Sequence, residues 1–194
     1  MSFLATVRRK SGESRNELDR PWELEADSLG DKRCRILRTL AAAPHTLLEN
    51  EVTVSQVMST HPIAVSPDAR FSDIKKKMAR QRLRHLLVSD SDSRLIGLIS
   101  DRDVLRRNGI FAKQVMSRDP ISVAPNAKLV DAISLILEKR ISCIPVVEDG
   151  RPIGILTTTD LLMTLQCVLA MAPRLQQRRS QCGVAESETP QPTP

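Results

Sequence analysis

The chain has 194 residues, 41% of them hydrophobic, with a formal net charge of +6. That length suits one domain with attachments or two very small ones, and aromatics at 2%, with no Tyr and Trp22 alone of its kind, dictate an aliphatic core and leave few rings for single-stranded bases to stack on. The four cysteines form no Cys-x-x-Cys pair and the three His stand at no metal-ligand spacing, which argues against a metal site and predicts free thiols in a reducing, cytoplasmic compartment.

Residues 1–30 are polar, mixed in charge and without period, so they read as flexible. Their short apolar start precedes Arg8-Arg9-Lys10, the reverse of a signal peptide's order. From Asp31 to Ala43 the residues Cys34, Ile36, Leu37, Leu40 and Ala41 fit one face of a helix that Pro44 stops. Residues 1–50 thus form an extension, partly disordered, with a helix over 31–43.

A repeat follows. Val57-Met58 returns as Val115-Met116, Pro62 as Pro120, Asp73 as Asp131 and Arg82 as Arg140, all at one spacing. One residue drops out near position 93, after which Gly97 matches Gly154, Ser100 matches Thr157 and Asp103 matches Asp160. A unit of this size does not bury its apolar face alone, so the two copies, 52–110 and 111–170, are expected to pack on each other about a pseudo-twofold axis.

Each copy reads strand, helix, strand, strand, helix. Ile63-Ala64-Val65 and Ile121-Ser122-Val123 are short strands after proline. Phe71, Ile74 and Met78 keep helical spacing, as do Leu129, Ile133, Ile136 and Leu137. Leu86-Leu87-Val88 and Ile144-Pro145-Val146-Val147 are the central strands. Hairpin turns follow at Asp90–Arg94 and at Glu148-Asp149-Gly150, where Asp-Gly is a strong signal. The returning strands Leu95–Ile99 and Ile153–Leu156 each run into a helix. The near-apolar stretch Leu161–Ala172 is too short to cross a membrane. Residues 173–194, rich in Gln, Ser, Thr and Pro, read as a disordered tail.

Charge is uneven between the copies. Residues 51–110 carry eleven Lys and Arg against seven Asp and Glu, whereas residues 111–170 carry six of each. The run Lys75–Lys77 is most simply a solvated helix face. The wider basic set, including Arg84, Arg102, Arg106 and Arg107, is also suited to draw in an anion.

Both strand-to-helix junctions carry Gly-apolar-apolar-Ser/Thr-x-x-Asp: Gly97 to Asp103, and Gly154 to Asp160. Taken once, Ser/Thr-x-x-Asp is a capping box, with the hydroxyl and the acid satisfying backbone N–H groups. Taken twice at equivalent junctions, it also fits a ligand, since a carboxylate there can accept ribose hydroxyls and a free helix start favours phosphate. Capping and binding are compatible.

The motifs Val57-Met58-Ser59 through Pro62-Ile63, Arg84-His85-Leu86-Leu87-Val88, Ile144-Pro145-Val146-Val147 and the two Gly…Ser/Thr…Asp junctions resemble a tandem CBS-domain pair, or Bateman module, over about residues 52–170. The resemblance implies an α/β (α+β) fold of two βαββα repeats, a homodimer of such modules, and a regulatory, non-catalytic role. An adenosine-type ligand (AMP, ADP, ATP or S-adenosylmethionine) would sit between the repeats, with no obligatory cofactor, and its state would pass to an unnamed partner protein. On this resemblance Asp103 and Asp160 bind ribose diols, and Ser100, Arg102, Thr157 and Thr159 line phosphate positions. Arg84 and His85, with their counterparts Ser142 and Cys143, contact base and phosphate. Ile63 and Ile121 sandwich adenine with the Leu86 and Ile144 strands. The plainer readings stand beside these: Ile63, Ile121, Leu86 and Ile144 as core, His85 as a cleft rim, Cys143 as a small buried residue.

The copies also differ. Leu87 stands where the second copy has Pro145, and Arg84 and Arg102 face Ser142 and Thr159, so the two clefts are expected to be unequal in charge. Three other readings compete. Enzymes of the inosine-monophosphate dehydrogenase family carry such modules, but flanks of about 50 and 24 residues leave no room for a barrel of roughly 250. A nucleic-acid-binding protein using the basic face of repeat 1 is disfavoured by so modest a charge. A ligand-free dimerisation scaffold is the remaining alternative.

Overall fold

A computed structural model describes residues 29–182; the expected flexible segment before residue 29 and the end of the expected tail lie outside them. The first helix, α1 (Leu29–Ala42), stops at Ala43-Pro44. Short helices α2 (His45–Leu48) and α3 (Val54–Val57) lead into β1 (Ser59–Thr60) and β2 (Ala64–Val65). Helix α4 (Phe71–Gln81) precedes the hairpin β3 (His85–Ser89) and β4 (Leu95–Ser100), and α5 (Asp101–Arg106) closes the first repeat. The second repeat runs α6 (Ala112–Val115), β5 (Ser117–Arg118), α7 (Leu129–Lys139), β6 (Cys143–Glu148), β7 (Arg151–Thr157) and α8 (Thr158–Cys182).

The periodicity of α4 translates directly: Phe71, Ile74 and Met78 are all buried. In α7 the buried set is Leu129, Ala132 and Ile136, while Leu137 is 70% exposed. The expectation for Leu137 fails because the apolar stripe is narrower than the run of apolar letters. The Asp149-Gly150 turn forms as expected, with φ of 50° and 79°, the doubly left-handed geometry that matches the twist of a tight hairpin. Ile121-Ser122-Val123 is not a strand. Only Val123 makes an isolated parallel bridge, to Val146, and Ile121 is 41% exposed. Helix α8 continues through Pro173 to Cys182, where a tail was expected; Gln and Arg, which dominate that stretch, are good helix formers.

The sheets are not confined to their own repeats. One sheet has the order β2-β3-β4-β5, the other β1-β7-β6. Strand β1, from the first repeat, pairs antiparallel with β7 of the second, and β5 of the second pairs antiparallel with β4 of the first. The exchange is reciprocal, as a twofold requires. It also explains the repeated glycines. A Cβ on Gly154 would lie 2.4 Å from the Met58 sulfur, and a Cβ on Gly97 would lie 2.4 Å from the Met116 sulfur. Each repeat's Val-Met thus packs on the other repeat's glycine, and a side chain there would push the methionine aside.

Two cores result. One gathers Phe71, Ile74, Leu86, Val88 and Ile99 with Ala112, Val115 and Met116. The other gathers Ile144, Val146, Leu156 and Ile136 with Val54, Val57 and Met58, and adds Ile36 and Leu40 of α1 and Cys167 and Met171 of α8. Helix α1 of the N-terminal extension is therefore part of the second repeat's core. The backbone N–H of Leu95 donates to the carbonyl of Gly150 at 2.9 Å, tying one hairpin to the other.

Candidate functional site

Two cavities lie between the repeats, each built from both. The first, of about 510 Å³, is lined by Ser100, Arg102 and Asp103 from the first repeat and by Ile121, Ser142 and Cys143 from the second. The second, of about 360 Å³, is lined by Thr157, Thr159 and Asp160 from the second repeat and by Ile63 and Arg84 from the first. His85 lines both. Both volumes suit a small ligand. All twelve residues singled out in the sequence thus fall into these two cavities, six to each counting His85 with the second. Arg102 belongs to the Asp103 cavity and Arg84 to the Asp160 cavity.

Strand register puts them there. In the two hairpins His85 pairs across from Ser100, and Cys143 across from Thr157. The first residue of each central strand therefore neighbours the hydroxyl that opens the following helix. His85 Nε2 and Ser142 Oγ share a hydrogen bond of 3.1 Å, so the entries to the two central strands meet between the cavities.

Both capping boxes form. Ser100 N–H donates to Asp103 Oδ2 at 2.9 Å, Ser100 Oγ donates to the same oxygen at 2.6 Å, and Asp103 N–H returns to Ser100 Oγ at 3.2 Å. Thr157 N–H and Oγ1 donate to Asp160 Oδ2 at 2.7 and 2.9 Å. The remaining carboxylate oxygens differ. Asp103 Oδ1 pairs with Arg107 Nε at 3.0 Å, and that arginine is 45% exposed. Asp160 Oδ1 takes Lys32 Nζ from α1 as a buried ion pair, with Ser59 Oγ at 3.4 Å. Asp160 is 2% exposed and Lys32 4%.

Arginines concentrate on the Asp103 cavity, which Arg106, Arg107 and Arg140 line along with Arg102. Arg140 and its repeat partner Arg82, which lines the Asp160 cavity, are C-caps of α7 and α4 with φ of 52° and 53°. Glycine is the usual residue in that left-handed position, and a side chain there costs roughly 1–2 kcal/mol. The sequence signal for the pair is the match of Arg82 with Arg140 in the repeat. Lys32 left no signal of its own: nothing in a helical charge pattern identifies a partner 128 positions away.

Ile121 lines its cavity as an exposed side chain, which removes the plain core reading for it, whereas Leu86 and Ile144 are fully buried. Cys143 is buried, and burial together with the nearby Asp160 charge pushes its thiol up to about 12, so it is not a nucleophile at neutral pH. Cys167 is raised as well, again mainly by burial. Among the described residues no group of three His, Cys, Asp or Glu is placed to hold a metal, and no helix is long and apolar enough to cross a membrane.

Burial lowers the His85 pKa below 6.5, against the opposing pull of Asp101, with Arg84 lowering it further, Asp103 raising it and Arg102 lowering it. The folded chain therefore keeps the ring neutral to a lower pH than the unfolded chain, which protonates it near 6.5. Between the two pKa values the unfolded state binds more protons, so this contribution to stability is complete above 6.5 and declines as pH falls through that window. Urea unfolding of His85→Gln is expected to show a flatter loss of stability on acidification than the parent chain; parallel profiles would contradict this.

The CBS domain family model matches residues 54–108 and 112–166. CBSCBSPB2 of Arabidopsis thaliana, a CBS domain-containing protein, is 24% identical over 82% of this chain, which spans 31% of that protein. Among solved structures, the putative acetoin utilization protein AcuB of Vibrio cholerae superposes with a TM-score of 0.59 at 27% identity, covering 63% of this chain and 96% of the other. CBSX2 in complex with AMP superposes with a TM-score of 0.56 at 27% identity, covering 62% of this chain and 98% of the other. Paired junction motifs, reciprocal strand exchange and two matched segments agree: the chain belongs to the CBS domain family, with two tandem copies.

Proposed function

We propose that the chain is a non-catalytic sensor that binds an adenosine nucleotide in the Asp103 cavity and passes its ligand state to a partner protein. The carrying observation is the open acceptor position on Asp103. A carboxylate offers about four acceptor positions in all, and among the described residues Ser100 N–H, Ser100 Oγ and Arg107 occupy three. A ribose hydroxyl fits the remaining one, the exposed face of Ile121 offers an apolar wall to a base, and Arg102, Arg106 and Arg140 supply charge for phosphate. The AMP complex of a structural relative supports this ligand class, with ADP, ATP and S-adenosylmethionine as the other members to test.

The repeats act as two halves of one unit, 52–110 and 111–170, working in the cytoplasm. Exposed Leu162, Leu165 and Leu169, spaced along one face of α8, support pairing with a second copy. A ligand that prefers one arrangement of the halves shifts their population, and α1 and α8, packed on the second core, are placed to carry the change outward.

Thermal shift and calorimetry against AMP, ADP, ATP and S-adenosylmethionine test the reading. At a ligand concentration about a hundredfold above Kd, stabilisation of about 2.7 kcal/mol is expected. Asp103→Ala is expected to weaken binding roughly 10- to 150-fold, the equivalent of one charge-assisted hydrogen bond of about 1.5–3 kcal/mol. Failure of every ligand to bind or stabilise leaves a dimerisation scaffold instead.

A further inference from the structure

The two cavities are related by the repeat, yet the cations on their acids differ in origin and burial. Lys32 reaches Asp160 from α1, and no residue of the repeat corresponds to it at Asp103. Asp160 Oδ2 takes Thr157 N–H and Oγ1, and Oδ1 takes Lys32 Nζ and Ser59 Oγ. All of its roughly four acceptor positions are filled. Lys32 also donates to Ser59 Oγ at 2.5 Å, so the ammonium bridges both repeats' contributions to that cavity wall.

This occupant is not a loose side chain. Ile36 and Leu40 of the same helix are fully buried in the second core, and Arg35 donates to the Met58 carbonyl at 2.9 Å. Arg107, the cation at Asp103, stands just past the end of the helix that carries the acid, is half-exposed, and also donates to the Val115 and Met116 carbonyls. To reach Asp160 a ribose must displace a buried, hydrogen-bonded ammonium. To reach Asp103 it needs only an open position.

We infer that Lys32 decides which cavity takes the nucleotide: helix α1 occupies the Asp160 carboxylate in place of a ribose, and binding is confined to the Asp103 cavity. The inference rests on the reading that the chain binds an adenosine nucleotide through these acids. It assigns to Lys32 a specificity role, and it makes the second cavity a site that opens only when the α1 contact is broken.

Calorimetry of the full chain with AMP, ADP and ATP separates the two ideas. The parent chain is expected to bind about one nucleotide per chain, and Asp103→Ala to leave no second site of comparable affinity. Lys32→Met keeps the packed stem and removes the charge; it is expected to raise the stoichiometry to about two. Two sites in the parent, a full-affinity site surviving in Asp103→Ala, or a folded Lys32→Met chain that still binds one equivalent each overturns the inference while leaving the sensor reading intact. If Lys32→Met does not fold, the parent and Asp103→Ala titrations decide. No binding of any nucleotide to the parent chain removes the sensor reading itself.

Discussion

Asp160→Ala is expected to lower the unfolding free energy by about 3–5 kcal/mol, the usual cost of removing one partner from a buried ion pair. The loss has two sources. Lys32, almost wholly buried, is left without its counter-ion, and Thr157 loses the acceptor for both its N–H and its hydroxyl. The repeat supplies an internal control. Asp103→Ala removes the same capping acid but leaves Arg107, which is half in solvent, and should cost about 1 kcal/mol. The double change Lys32→Met with Asp160→Ala should recover part of the deficit, since no charge is then stranded. Urea unfolding of the four chains makes the comparison. Equal losses for Asp160→Ala and Asp103→Ala would mean that the ion pair does not hold α1 to the second repeat.

Ile144→Ala should cost about 2–5 kcal/mol. Ile144 is fully buried on β6 and faces Leu156, also fully buried, across the β6–β7 ladder. Truncation leaves a cavity walled by a sheet that is itself held at its edge by β1 of the other repeat, so little collapse is available to fill it. Leu137→Ala, at an exposed position on the adjacent α7, should stay within about 0.5 kcal/mol. A denaturation midpoint for Ile144→Ala that matches Leu137→Ala would refute the assignment of β6 to the second core.

Much of this was legible from residue order. The paired junction motifs located both capping boxes and both acids, because capping is local chemistry read within four residues. Asp149-Gly150 fixed a turn for the same reason. What escaped was long-range. Alternation and helical spacing say which face of an element is apolar, not which sheet it joins, so the migration of β1 and β5 to the opposite repeats was invisible. Leu137 shares the helical spacing of α7, although the buried stripe passes beside it. Lys32 looked like one more charge on a helix of mixed charge, and only the folded chain shows it at Asp160.

The two cores also differ in how much chain they enclose. The Phe71–Met116 core draws on a continuous stretch, so it can condense while later residues are still leaving the ribosome. The other needs Ile36 near one end of the described chain and Met171 near the other. It can close only after the first, when synthesis has passed both. During that interval the leucines, isoleucines and valines of the second core stand uncovered, and that is when the nascent molecule has most need of a chaperone.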